Sequence, residues 1–234
     1  MKIMSFNTQH CMNFMTKEID YKIMAEAILQ CSADVVGLNE MRNQGDAEGY
    51  EPQTALLSAL TAMPHQYFAE ATQIHGRNPY GNAMLSKYRM ISAETIPVPD
   101  PDPDSRMGIH QYETRCLLKA KLENGVTIMV IHFGLNEDEK QNAVKTVIEH
   151  LENEKCILMG DFNLMPDSPL LDPIRARMKD TADVFTSQKL SFPSDNPYRK
   201  IDYIFVSHDI KIVSADIPAI VASDHRPHIA EVYF

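Results

Sequence analysis

Short apolar runs that each stop on a polar side chain constrain this 234-residue chain more than anything else in it. KIMSFN ends at Asn7, VVGLNE at Glu40, and CILMGDFN carries Asp161 and Asn163. Runs this short are buried strands rather than helices when they are rich in β-branched residues and bordered by turn formers. Asp161 and Asn163 lie two residues apart, so on an extended chain their side chains point the same way. A carboxylate and an amide held together at a strand end can orient a water molecule or share a hard cation. Near the C-terminus, SDHRPH sets Asp224 beside His225. Four strand ends with ligand-type or proton-transfer groups point to one composite site.

The rest of the pattern alternates short strands with a few helices. Strands are predicted over 1–6, 34–39, 82–86, 114–122, 126–132, 155–161, 201–206 and 228–233. Helices are predicted over 18–31, 52–61 and 137–152, with a shorter one from about Ser168. Ile19, Ile23, Ala27 and Ile28 share one face of the first helix, and Ala143, Val144, Val147, Ile148 and Leu151 share one face of the third. Asn124-Gly125 marks a tight turn between 114–122 and 126–132, and 201–206 is expected to form a second hairpin with 210–215. Hairpins mixed with helical crossovers indicate mixed sheets covered by helices, in a single domain over 1–234. Alternating Pro and Asp in PVPDPDPDSR, 97–106, exclude helix and central strand. That segment is either a solvated loop or an acidic rim that repels polyanions.

Several other residues have a plain reading and a chemical one. Asn7 closes a turn or, with Glu40, supplies oxygen ligands of the kind magnesium takes. Glu40 is at a solvent edge or on a metal. Asp202 interrupts the apolar strand IDYIF, where an unpaired carboxylate is disfavoured; it caps, or it orients a histidine or helps hold a phosphate. His225 is a turn residue or acts on a scissile phosphate. His132 is a satisfied strand-end histidine or a phosphate contact. Arg115 makes a surface salt bridge or grips a phosphate oxygen with its fork. Asn82, after the permissive Gly81, faces the site as a phosphate contact or closes a turn.

Taken in order, FN at 6–7, NE at 39–40, YGNAMLS at 80–86, IH at 131–132, GDFN at 160–163, IDYIF at 201–205 and SDH at 223–225 resemble the endonuclease/exonuclease/phosphatase superfamily, the deoxyribonuclease I-like fold. The match runs over nearly the whole chain. It implies an α/β (α+β) four-layered sandwich of two mixed, largely antiparallel sheets flanked by helices. It implies that Asn7 and Glu40 bind a divalent metal, magnesium or manganese, with Asp224 near it. Asp161 and Asn163 would position and activate the attacking water, and His225, paired with Asp202, would face the phosphate. His132 would hold the phosphate or protonate the leaving group. Where some nucleases carry an acidic residue two places after the first-strand Asn, this chain has Gln9, which argues against a second metal. The implied activity is metal-assisted hydrolysis of a phosphate ester by a monomer; a non-catalytic binding module that kept the fold is the alternative.

Composition narrows the substrate. Lys and Arg total 22 against 32 Asp and Glu, a formal net charge of −10. An acidic chain with no basic stripe repels duplex nucleic acid unless a metal supplies positive charge locally. Small phosphoesters or short single strands therefore move up, while the resemblance keeps a nuclease a leading candidate. No apolar run approaches a membrane span, and no aromatic hairpin suggests membrane insertion. The four cysteines are scattered and form no CxxC pair, so neither a zinc site nor a disulfide framework is indicated. These features lead to the expectation of a cytoplasmic protein.

Overall fold

The structure, a computed structural model, describes residues 1–106 and 108–234. In chain order the strands are β1 (Lys2–Asn7), β2 (Val35–Arg42), β3 (His65–Ile74), β4 (Asn78–Ser86), β5 (Met90–Pro97), β6 (Cys116–Leu122), β7 (Thr127–His132), β8 (Cys156–Asp161), β9 (Met178–Asp180), β10 (Asp202–Ser207), β11 (Lys211–Asp216) and β12 (His228–Tyr233). The helices are α1 (Tyr21–Cys31), α2 (Gln53–Thr61), α3 (Glu137–His150) and a single turn, α4 (Asp172–Arg175). No helix among the described residues is long and apolar enough to cross a membrane.

The strands form two six-stranded sheets, ordered β11-β12-β1-β2-β4-β3 and β5-β6-β7-β8-β10-β9. Each sheet has one parallel pair, β1 with β2 and β7 with β8; the other pairings are antiparallel. A parallel neighbour requires a crossover, and α1 and α3 supply the two. The two halves thus share a strand–helix–strand unit although no repeat is visible in the sequence.

Strand alternation sorts the apolar side chains into three cores. Ile3, Val35, Met84, Leu118, Val130, Ile157, Met159 and Ile204 fill the space between the sheets. Met4, Phe6, Val36 and Leu38 turn the other way to meet Met24 and Ile28 of α1 and Leu57 of α2. Leu117, Met129, Ile131 and Leu158 meet Val144 and Val147 of α3. The result is the expected helix–sheet–sheet–helix sandwich. Asp20 caps α1, its carboxylate accepting from the Lys22 and Ile23 N–H groups at 3.0 and 3.2 Å. Asn136 and Glu139 form a capping box at the start of α3.

The three long helices and the Asn124-Gly125 hairpin occur where the sequence places them. The second predicted hairpin does not form. β10 lies inside the second sheet between β8 and β9, whereas β11 pairs with β12 at the edge of the first. β10 is buried along its whole length, and β11 is largely exposed. A strand buried on both faces needs partners on both sides, and that requirement overrides proximity in sequence. β3 and β5 carry no sequence expectation; both are half-exposed edge strands without a dense apolar run.

Gly160 of β8 lies directly against the β7 backbone at Ile131. A Cβ there would sit 1.7 Å from the Ile131 carbonyl oxygen, at a φ of +150°. The clash is with backbone held in a ladder, so no rotamer change relieves it. Gly160→Ala is expected to destabilise the protein by at least about 3 kcal/mol, read as a lower denaturant midpoint; a midpoint within error of the parent would show that the ladder can yield.

Candidate active site

The C-terminal ends of the two parallel pairs meet between the sheets. Asn7 lies beside Asn39 in the first, and His132 beside Asp161 in the second. Asn7 Nδ2 donates to Asp161 Oδ2 at 3.1 Å and to Glu40 Oε1 at 3.0 Å, while its Oδ1 accepts from the Gln9 N–H. An amide nitrogen between two carboxylates marks a place that calls for positive charge. β2 does not stop at Glu40: it runs on to Arg42 through a bulge, in which Asn39 and Glu40 stand opposite the single residue Asn82. Glu40 has a φ of +59°, a left-handed conformation costly for a non-glycine residue. The bulge breaks the alternation, so the two neighbours serve different ends.

Asn39 was not among the expected site residues. It is fully buried; its Oδ1 accepts from the Asp161 N–H, and its Nδ2 donates to the Ile131 carbonyl and to Asn82 Oδ1. Two adjacent polar residues breaking the run VVGLNE are the only sequence trace of this arrangement. Asn82 departs from the expected phosphate contact. It is 3% exposed, with its oxygen held by Asn39 and its nitrogen donating to the Cys116 carbonyl at 2.9 Å. It braces the sheets beneath the crevice, because its polar groups are already taken up by the protein.

Asp161 Oδ2 lies near two more nitrogens, His132 Nε2 at 3.5 Å and His225 Nε2 at 3.6 Å. Its Oδ1 accepts from the Asn163 N–H at 2.9 Å, and Asn163, with a φ of +49°, turns its amide back to donate to the Phe133 carbonyl. Asp202 Oδ2 accepts from His225 Nδ1 at 2.8 Å. Arg115 is buried. Its NH1 faces His132 Nδ1 at 3.2 Å, and its NH2 pairs with Glu113 at 2.8 Å. Because Arg115 can only donate, Nδ1 of the neutral His132 ring accepts and the hydrogen sits on Nε2, which faces Asp161 Oδ2 and also lies 3.3 Å from the Asn163 amide nitrogen. Asp224 takes the Ser223 hydroxyl on Oδ1, and its charge acts on both Glu40 and His225.

The electrostatics follow from burial and neighbours. Burial raises the Asp161 carboxyl above the ordinary carboxylate range; the His225 charge opposes this and Asp202 reinforces it. Burial works against charge on His225, but Asp202 and Asp161 on either side outweigh it and hold the pKa well above that of free histidine. Burial, with Arg115 and His225 nearby, pushes His132 far down, so it is neutral at pH 7. Burial also raises Glu40; the Asn7 hydrogen bond acts against this and Asp224 adds to it.

These residues suit a hard divalent cation. Asp202 Oδ1 is buried without a hydrogen-bond partner, and the crevice gathers the carboxylates of Glu40, Asp161, Asp202 and Asp224. Their oxygens are what magnesium or manganese takes. Ligand atoms of Asp161, Asp202 and His225 lie within 4.8 Å of one another. An imidazole already given to Asp202, and protonated, has no lone pair to offer, so the Glu40 side of Asp161 is the better place for a cation.

The Endonuclease/Exonuclease/phosphatase family model matches residues 4–225, and the chain belongs to that family. Solved structures agree in fold. An endonuclease/exonuclease/phosphatase from Beutenbergia cavernae superposes with a TM-score of 0.79 at 19% identity, covering 100% of this chain and 71% of that one. The mannosyl-6-phosphatase of Bacteroides thetaiotaomicron gives 0.75 at 14% identity, covering 100% of both chains. The human Nocturnin catalytic domain, with a bound sulfate anion, gives 0.67 at 15%, covering 100% of this chain and 94% of that one. No curated protein sequence matches the chain significantly.

Asn39→Ala would leave the Asp161 N–H, the Ile131 carbonyl and Asn82 Oδ1 without this partner, and is expected to cost about 3 kcal/mol or more in a denaturant titration. A loss below about 1 kcal/mol would remove Asn39 as the tie between the sheets. Asp202→Asn is expected to lower the His225 pKa by at least about one pH unit in an NMR titration of metal-free protein. Since the parent pKa is raised, stability from the charged imidazole is complete below pH 6.5 and lost as pH rises through the folded-state pKa. The variant should lose that advantage on the acid side.

Proposed function

We propose that this chain hydrolyses a phosphate ester, with Asp161 as the base for the attacking water and a divalent cation bound beside Glu40. The observation that carries the reading is the convergence of Asn7, His132 and His225 on Asp161 Oδ2, all within 3.6 Å, where the two sheets meet. Glu40, with Asn7 and Asp224 beside it, would hold magnesium or manganese, which when bound supplies Lewis acidity to a phosphoryl oxygen and neutralises leaving-group charge. Asn7 enters that set with its amide nitrogen toward the carboxylates, so Glu40 is its principal oxygen donor.

A carboxylate raised toward neutrality is a base matched to its operating pH. Asn163, two residues on, aims the water that Asp161 deprotonates. The imidazolium of His225, charged because Asp202 stands behind it, donates to a phosphoryl oxygen as negative charge builds. Neutral His132 offers Nε2–H to the phosphate or the departing oxygen, and the unpartnered Nε of Arg115 adds positive charge to the same wall. Substrates are small phosphoesters or short nucleic acids, supported by the net charge of −10 and by a solved fold relative that is a mannosyl-6-phosphatase. Four free, buried cysteines accord with a cytoplasmic location.

The test is a panel of phosphomonoesters, phosphodiesters and oligonucleotides with magnesium, manganese or chelator. Turnover should vanish with chelator and return with metal, and Asp161→Asn should reduce kcat at least ~100-fold. Absence of metal-dependent hydrolysis across the panel, or near-parent activity in that variant, would defeat the reading.

A further inference from the structure

Beyond Glu40 the crevice opens into a cavity of about 460 Å³, lined among others by His10, Glu40, Arg42, Tyr50, Tyr80 and Tyr112. That size is within the range of small-molecule sites. Its one permanent cation is poorly satisfied. Arg42 NH1 reaches the Gly49 carbonyl only at 3.4 Å, Nε has no partner, and no carboxylate of the described residues lies within salt-bridge distance. Glu113, on the same wall, is already paired with Arg115 at 2.8 Å, and Glu40 is drawn to Asn7. The guanidinium is nonetheless held in place. It lies over the Tyr50 ring at 4.5 Å, and its backbone N–H donates to Gln53 Oε1, whose amide also holds the His10 carbonyl.

Nε is shut away from solvent, but the outer nitrogens of this half-buried, oriented guanidinium are held only by the long Gly49 contact and by no carboxylate, and such a planar edge is a receptor for an anionic oxygen pair. Glu40 and Arg42, two residues apart across the bulge, line the same cavity. An anion at Arg42 and a phosphate held beside Glu40 would therefore share one cavity. We propose that this cavity seats the alcohol portion of the substrate and that Arg42 selects a second anionic group on it, a phosphate or a carboxylate. The substrate class is thus a compact phosphoester with two acidic groups rather than a polymer. This rests on the hydrolytic reading above.

The experiment compares matched pairs with magnesium: fructose 1,6-bisphosphate against fructose 6-phosphate, and 3-phosphoglycerate against glycerol 3-phosphate. The first pair reports a second phosphate, the second a carboxylate. The parent should favour the doubly acidic member of at least one pair about 10- to 100-fold in kcat/KM, the range for a hydrogen-bonded charge. Arg42→Gln should erase most of that ratio through KM rather than kcat, and Arg42→Lys should restore part of it. Thermal melting checks that both variants fold, and Arg42→Lys alone carries the test if Arg42→Gln does not. Metal-dependent hydrolysis without a preference, or a preference that survives Arg42→Gln, would overturn the role of Arg42 and leave the hydrolytic reading standing. No hydrolysis of these compounds would overturn the role of Arg42, and none across the wider panel with magnesium or manganese would overturn both.

Discussion

Asn39 sends its carboxamide across the gap between the sheets, accepting from the Asp161 N–H and donating to the Ile131 carbonyl and to Asn82. Asn82 continues the line to the Cys116 carbonyl, and Asn7 reaches the Asp161 carboxylate. Three asparagines of the first sheet thus touch β6, β7 and β8 of the second. Apolar packing between sheets is non-directional and tolerates sliding by fractions of a side chain. Buried amide bonds are directional and costly to leave unmade. They fix how the sheets register at the end where the carboxylates and histidines collect, and a site assembled from both sheets needs that register.

The same end of the molecule concentrates strained backbone. Glu40 and Asn163 both occupy left-handed conformations, and so do Gln9 and His10 just after β1. Regular strands would send successive side chains to opposite faces and leave one of each pair in a core. The bulge at Asn39 and Glu40 instead allows one residue to hold the second sheet while the next faces the crevice. The parallel pairs explain why the crevice lies at this end: in both sheets the strand before the crossover helix and the strand after it finish together.

Much of this was legible in the sequence, where the physics is local. Helix faces, the Asn-Gly hairpin, the short strands and the ordered polar groups that end them depend on periodicity and turn chemistry. The hidden features depend on partners far away in the chain. β3 and β5 draw their stability from one neighbour at a sheet edge, so they carry little apolar signal. The chain turns tightly after β10, yet β10 and β11 enter different sheets because burial decides their partners. Asn39 and Asn82 look like turn residues until the opposite sheet is present to receive them. Arg42 is unremarkable in MRNQG; its meaning comes from a cavity that only the fold creates, in which the neighbouring carboxylates are drawn to other partners.

Charge ties these observations together. Folding brings Glu40, Asp161, Asp202 and Asp224 into one crevice, and burial penalises each carboxylate unless it is paired, protonated or bound to a cation. The chain pairs Asp202 with a charged His225, leaves Asp161 raised toward neutrality, and sets an amide nitrogen between Asp161 and Glu40. Buried charge of this kind is weak evidence for stability, so the sheet register held by Asn7 accounts for only part of the arrangement. The rest is electrostatic. Carboxylates that repel one another in the resting protein favour a divalent cation or a proton among them, and the proposed hydrolysis would draw on both.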